Sequence, residues 1–359
     1  MSEAEVLTRI EGGVGRVTLN RPAALHALTT NMCRLITAAL LDWRGNPAVK
    51  AILLDHAGER GFCAGGDIRM LAESGAGDGR AAREFFHAEY RLNHLLFGYP
   101  KPVVAIMDGV TMGGGVGLSM PARYRIATER TTYAMPETGI GLFPDVGGGW
   151  YLPRKPGKAG LWLALTGARI KAADCLALGV ATHYALSANI EALKQALVEA
   201  LADGEAVDAI ETVLPQFTAN PDPAPVAAHR AEIDRLFAGP SVEAIFAALE
   251  ADGGEWATAQ LKTLNTKSPQ TMKVAFRQLA LGAAMTDFAD NMAMEYRIGA
   301  RVVQKHDFIE GVRAVIVDKD NSPRWRPDTL EGVTEAQLDE IFAPLPPGEE
   351  WTPLPELQA

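Results

Sequence analysis

Two glycine clusters, each placed behind an apolar run, constrain this chain more than any other feature. Gly61-Phe62-Cys63-Ala64-Gly65-Gly66-Asp67-Ile68 follows the buried-strand pattern of Ala48 to Asp55. Gly113-Gly114-Gly115-Val116-Gly117 follows the similar run Val103 to Met107 and opens a short apolar stretch that must end near Pro121. Glycine at a strand-to-helix junction lets backbone N–H groups approach a ligand, and the helix start favours negative charge. Two such junctions could converge on one carbonyl oxygen, as an oxyanion hole requires; one lost donor there typically costs about 3–4 kcal/mol of transition-state stabilisation. A plainer reading, glycines that only permit close helix packing, stays open at this point. The second cluster is not a P-loop, because the Gly-Lys-Ser/Thr ending is missing, nor is it the usual dinucleotide fingerprint. Asp67 is well placed to cap the helix that follows.

Around these clusters the pattern alternates. Gly15 to Asn20 reads as a strand ended by Arg21-Pro22, and Tyr124 to Thr128 as another. Thr29 to Trp43 has helical spacing, with Thr29, Thr30 or Asn31 available as N-cap. Strands alternating with helices imply an α/β core. Residues 190–250 are rich in Ala and Leu, and the Pro-punctuated stretch Asn220 to Pro225 marks a boundary. The expected division is a core over 1–220 and a mainly helical region over 221–359, ending in a Pro-rich, loosely packed tail from Pro344.

Composition narrows the function. A net charge of −10 without a basic patch argues against nucleic acid as partner. No apolar run approaches the roughly 18 residues of a membrane span. Three scattered cysteines, Cys33, Cys63 and Cys175, fit neither a disulfide framework nor a Cys-x-x-Cys metal site, so a reducing compartment is expected. With the acidic start Met1-Ser2-Glu3-Ala4-Glu5, which is unlike a presequence, this predicts a cytoplasmic protein.

The chemistry-bearing residues are carboxylates. Glu137 and Asp145 lie in a stretch containing Pro136, Gly139, Gly141, Pro144 and Gly147-Gly148-Gly149. Those residues allow the chain to fold back so that both acids face one pocket, where mutual repulsion would separate their pKa values. Taken alone, Glu137 could equally be a turn residue. Glu89 lies on a helix from about Gly79 to Phe97, with Phe85, Phe86, Leu92 and Leu96 at −4, −3, +3 and +7. Its carboxyl therefore falls on the apolar face, either as a neutralised core glutamate or as a polar group lining a pocket. The seven histidines show no metal-ligand spacing, and His26 and His94 read as structural. Ser119 lacks the second glycine of a nucleophile elbow.

Together these motifs resemble the crotonase (enoyl-CoA hydratase/isomerase) superfamily. Leu19-Asn20-Arg21-Pro22, Phe62 to Ile68 and Met112 to Gly115 occur in its order and spacing. Within it the chain is similar to the 3-hydroxyisobutyryl-CoA hydrolases, through Gly109 to Ser119, Met135 to Gly149, Met294-Glu295-Tyr296-Arg297, His306 to Val315 and Asp318 to Trp325. The resemblance implies an α/β fold of the ClpP/crotonase type, a ββα spiral core with a helical C-terminal region. It implies Gly66 and Gly114 as the oxyanion hole and Glu137 and Asp145 as the catalytic pair. Glu89, Ala64 and Asp67 would bind substrate, with the Ala64 carbonyl on adenine. The implied activity is hydrolysis of a short 3-hydroxyacyl-CoA, 3-hydroxyisobutyryl-CoA foremost, in valine catabolism. The acyl-CoA is the small-molecule partner, with no metal and no separate cofactor, since coenzyme A is part of the substrate. The superfamily commonly forms trimers, which leaves a homo-oligomer open.

One departure matters most. Hydratases carry a glutamate two residues after the glycine triplet, and here that place is Gly117. Asp145 stands where hydratases usually have glycine, so the carboxyl pair is relocated. Smaller departures are His26 for the common Asn and Ala23 for a common Lys, which touches one CoA-phosphate contact. The alternatives are a hydratase or isomerase of the same fold and, from another class, a non-catalytic acyl-CoA-binding protein.

Overall fold

The computed structural model describes residues 4–357, so Met1, Ser2 and Glu3 of the acidic start lie outside the described residues. Contacts divide the chain into two units that interleave along the sequence. The first takes residues up to 66, 92–133 and 169–227; the second takes 67–91, 134–168 and 228 onward.

The first unit is built on strands: β1 (Val6–Glu11), β2 (Val14–Leu19), β3 (Ala51–His56), β4 (Gly61–Cys63), β5 (Val103–Met107), β6 (Val110–Met112), β7 (Tyr124–Ala127), β8 (Thr132–Ala134), β9 (Ile170–Lys171) and β10 (His183–Tyr184). One sheet runs β1-β2-β3-β5-β7-β10, and only β1 is antiparallel to its neighbour. Every residue of β3 and β5 is buried, which is why both read as continuous apolar runs rather than alternating ones. Leu53, Ile106 and Ile126 of this sheet pack with Leu193, Leu197 and Leu201 from the helix Ile190–Asp203 and with Ile210 and Leu214 from the helix Ala206–Phe217. The helix Thr30–Arg44 starts where the pattern predicted, with the Thr29 hydroxyl accepting from Met32 N at 3.1 Å.

The second sheet, β4-β6-β8-β9, positions the glycine clusters. β4 and β6 are parallel, with Cys63 opposite Thr111. Gly66 and Gly114 each stand three residues beyond that matched pair (66 − 63 and 114 − 111), so the two loops leave the sheet side by side. The short helix Gly114–Ser119 lies against β4 so closely that a Cβ at Gly115 would sit 2.4 Å from the Cys63 carbonyl oxygen. Gly115→Ala is therefore expected to lower stability by about 1–3 kcal/mol, the usual cost of overpacking, read as an earlier midpoint in denaturant unfolding. An unchanged midpoint would show that β4 and the helix can move apart.

From Ala228 onward the second unit forms helices joined by loops, with no strand among the described residues. It also holds the helix Ile68–Gly75, capped as expected by the Asp67 carboxylate, and Arg80–Arg91 of the helix Arg80–Phe97. Its central pair is Pro269–Ala284 and Phe288–Val302. The segment after Pro344 corrects one expectation, since it is not loosely packed. Trp351 is 3% exposed, Glu350 accepts from Arg297 Nε at 3.0 Å, and the Thr352 carbonyl accepts from Arg91 Nε at 2.8 Å. Burial of one large aromatic outweighs the local preference of a Pro-rich stretch for solvent. Cys33, Cys63 and Cys175 are buried, and none forms a disulfide among the described residues. No described helix is long and apolar enough to cross a membrane.

Candidate active site

The first unit holds a pair of glycine loops with backbone donors. Among the described residues, neither Gly66 N–H nor Gly114 N–H donates to a backbone carbonyl. The Gly65 peptide beside them is committed, its carbonyl accepting from Leu28 N at 2.8 Å. Gly65 sits at φ +122°, in the region only glycine enters readily, and a Cβ there would lie 4.0 Å from Gly114 N. The two loops thus approach each other, and neither N–H is taken up by a backbone acceptor among the described residues. Ala64 is half-buried, its N–H donating to the Leu25 carbonyl at 3.0 Å. His26 reads as structural: Nδ1 accepts from Arg21 N and Nε2 bonds the Ala57 carbonyl, both at 2.9 Å, which ties down the loop before Leu28.

The second unit, taken by itself, holds a cluster of acids. Glu89 is 2% exposed on its helix face, and Glu137 and Asp145 are 4% and 5% exposed. Glu137 opens the 3-10 turn Glu137–Ile140, and that turn, with Gly141 at φ +69°, bends the chain back. One oxygen of Glu89 and one of Glu137 have no hydrogen-bond partner among the described residues. Asp145 accepts a 2.8 Å hydrogen bond from the Tyr90 hydroxyl. Burial pushes Asp145 up to about 7 despite that bond. Burial first, then the charge of Asp145, holds Glu137 well above the carboxylate range. Glu89 is raised in the same way by burial and by the charges of Asp145, Glu137 and Glu295. Glu89, Glu137 and Asp145, singled out from two different sequence features, form one electrostatic cluster. Asp67, by contrast, is occupied as a helix cap.

Two members of the cluster were not singled out as site residues. Tyr90, fully buried, follows Glu89 directly and turns its hydroxyl to Asp145. Glu295, also fully buried, accepts from Gly147 N at 2.8 Å, from Gly149 N at 2.9 Å, from Asn291 Nδ2 at 2.9 Å and from Gln278 Nε2 at 3.1 Å. Burial pushes it up to about 8 against those donors. Glu295 follows Phe288 by seven residues and Met292 by three, and precedes Ile298 by three, all of them buried. The periodicity that exposed Glu89 would have exposed it too. Next to Asp145, Val146 is held at φ +50°, a left-handed conformation costing a β-branched residue on the order of 1–3 kcal/mol.

The sequence matches the enoyl-CoA hydratase/isomerase family over residues 14–342. The chain belongs to that family. Its similar members include a protein named 3-hydroxyisobutyryl-CoA hydrolase, mitochondrial, from Danio rerio, 46% identical over 95% of this chain and 90% of its own. The protein of the same name from Homo sapiens is 42% identical over 95% and 89%. Among solved structures, one titled carnitinyl-CoA dehydratase, from Mycobacterium thermoresistibile, superposes with a TM-score of 0.91 at 40% identity, covering 98% of this chain and 99% of its own. One titled enoyl-CoA hydratase, from Rhodobacter sphaeroides 2.4.1, gives 0.88 at 40% identity, covering 97% and 100%. The α/β crotonase fold expected from the resemblance is therefore the fold found. Within this family, position 117 bears on the chemistry: it is a buried glycine inside the helix Gly114–Ser119 and supplies no carboxyl.

The acid cluster of this family member has a measurable signature. In an unfolded chain these carboxyls lose their protons near about pH 4. In the folded protein Asp145 keeps its proton to about 7 and Glu295 to about 8. Between those limits the folded state binds more protons than the unfolded one, so this contribution to stability falls as pH rises and levels off above about 8. The melting temperature should drop from about pH 5 to about pH 8.5, and Glu89→Gln, which removes one raised group, should make the drop shallower. A Glu89→Gln profile as steep as the wild type's would contradict this account.

Proposed function

We propose that this protein hydrolyses a short 3-hydroxyacyl-CoA thioester, foremost 3-hydroxyisobutyryl-CoA, to the free 3-hydroxy acid and CoA, a step of valine breakdown. The observation that carries the reading is the buried pair Glu137 and Asp145 in a chain with glycine at 117. Addition of water across a double bond needs a carboxyl there; cleavage of a thioester needs only a polarised carbonyl and one activated nucleophile. The names of the relatives, at 42–46% identity over nearly the whole chain, support the same reading.

In this proposal the N–H groups of Gly66 and Gly114 receive the thioester oxygen as it becomes an oxyanion. Glu137, ionised, either takes a proton from water or attacks the carbonyl to form a mixed anhydride that water then opens. Asp145 accepts a hydrogen bond from the acyl hydroxyl or handles the leaving-group proton, and Glu89 with Tyr90 shapes the polar end of the acyl pocket. Ala64 and Asp67 are assigned to the CoA moiety, and no separate cofactor is required. A cytoplasmic location belongs to the proposal; three scattered cysteines suit a reducing compartment, a property the mitochondrial matrix shares, so cell fractionation decides it.

The test is thiol release from a panel of 3-hydroxyacyl-CoA esters, run beside crotonyl-CoA. Release from 3-hydroxyisobutyryl-CoA, with at most about 10–200-fold preference over an ester differing by one methyl, is the expected result. The solved structures titled as a hydratase and a dehydratase give the second arm its purpose. Loss of the crotonyl-CoA double bond without free thiol would overturn the hydrolase reading in favour of theirs.

A further inference from the structure

The chain around Asp145 does not hold its shape by local preference. The Asp145 carbonyl accepts from Gly148 N at 2.7 Å, closing a four-residue turn whose central residues, Val146 and Gly147, lie at φ +50° and +94°. A turn with two left-handed central residues is normally made by Gly, Asn or Asp; a β-branched valine at the first of them is among the poorest choices. Something outside the turn must hold it.

The restraint comes from the helices Pro269–Ala284 and Phe288–Val302. The Glu295 carboxylate receives Gly147 N and Gly149 N, beyond Asp145 in sequence. The Gln278 amide donates to the Pro144 carbonyl at 2.7 Å, before Asp145, and also to Glu295. Asn291, one turn before Glu295 on its helix, donates to the same carboxylate oxygen. All three side chains are fully buried. The backbone is equally committed, since a Cβ at Gly282 would sit 2.0 Å from the Gly149 carbonyl oxygen. The peptide on each side of Asp145 is thus pinned, and the direction of its carboxyl toward the Tyr90 hydroxyl follows from the pins.

We propose that Glu295, with Gln278 and Asn291 behind it, is a positioning residue for thioester hydrolysis, fixing the turn from Pro144 to Gly149 and through it the place of the Asp145 carboxyl. Four N–H donors meet the two oxygens of its carboxyl, and each oxygen accepts. A carboxamide would turn its own donor against at least one of them. The inference rests on the hydrolase reading, in which Asp145 acts on the substrate.

The experiment measures kcat and KM for 3-hydroxyisobutyryl-CoA in full-length Glu295→Gln, with circular dichroism to establish folding. An error of about 1 Å in a reacting group costs up to about a hundredfold, so kcat should fall about 10–100-fold with KM within about twofold. Because the effect passes through Asp145, adding Glu295→Gln to Asp145→Asn should cost little more, whereas a general loss of structure would multiply the two defects. Where Asp145→Asn alone lies below detection, the division between kcat and KM decides. If Glu295→Gln fails to fold, Gln278→Met carries the same test, because it removes the donor to Pro144 yet leaves both glycine bonds to Glu295. Wild-type kcat in a folded variant, a loss confined to KM, or full multiplication in the double variant would overturn the inference. An inactive wild type would instead sink the hydrolase reading.

Discussion

Glu137→Gln is expected to reduce thiol release from 3-hydroxyisobutyryl-CoA by about 10³-fold or more, with KM little changed. Whether Glu137 serves as base or nucleophile, its ionised carboxylate is the reacting group, and removing a positioned base costs about 10²–10⁴ in rate. Gln keeps the volume of a side chain that is 4% exposed and discards an oxygen with no protein partner, so folding should survive. The rate of the wild type should rise with pH as Glu137 ionises, since burial and the neighbouring charge of Asp145 hold its proton well above the usual range. A single turnover in oxygen-18 water separates the two roles: label in the Glu137 carboxyl marks the anhydride, and label in the acid alone marks direct attack by water. Equal rates for the wild type and Glu137→Gln would end the assignment.

Asp145→Asn should act in two directions at once. Loss of its contact with the substrate should lower the maximal rate by about 10²-fold, within the range for removing one positioned group. The same change deletes the charge that helps raise Glu137, so the rising limb of the pH–rate profile should move to lower pH. The profile of two interacting carboxyls belongs to the pair rather than to either one, which makes the direction of movement the informative quantity. A limb that stays in place, or moves to higher pH, would mean that the charge of Asp145 is not felt at Glu137.

Much of this site was legible in the sequence because its signals are local. The glycine loops stand directly behind two parallel strands, and Gly66 and Gly114 each follow the matched pair Cys63 and Thr111 by three residues. Glu89 betrayed itself by helical spacing on an apolar face. The remainder depended on tertiary context. Strands of two residues, such as β9 and β10, are too short to show alternation. The left-handed valine at 146 runs against local propensity and exists because groups more than a hundred residues later hold it there. Glu295 carried the same periodic signal as Glu89, but it entered only as part of the resemblance, with no role. Trp351 draws a Pro-rich segment into the protein that composition alone would leave in solvent.

The interleaving of the two units sets an order of events during synthesis. Glu89, Glu137 and Asp145 leave the ribosome well before the helix that carries Glu295, so for most of that time they face water as anions. Phe288–Val302 packs at Gly299 against Phe86 and Tyr90, so its docking takes solvent from one side of the cluster, and carboxyls with raised proton affinity then draw protons from the medium. Maturation of this protein should therefore consume protons at neutral pH, leaving the last stage of folding the most sensitive to alkalinity.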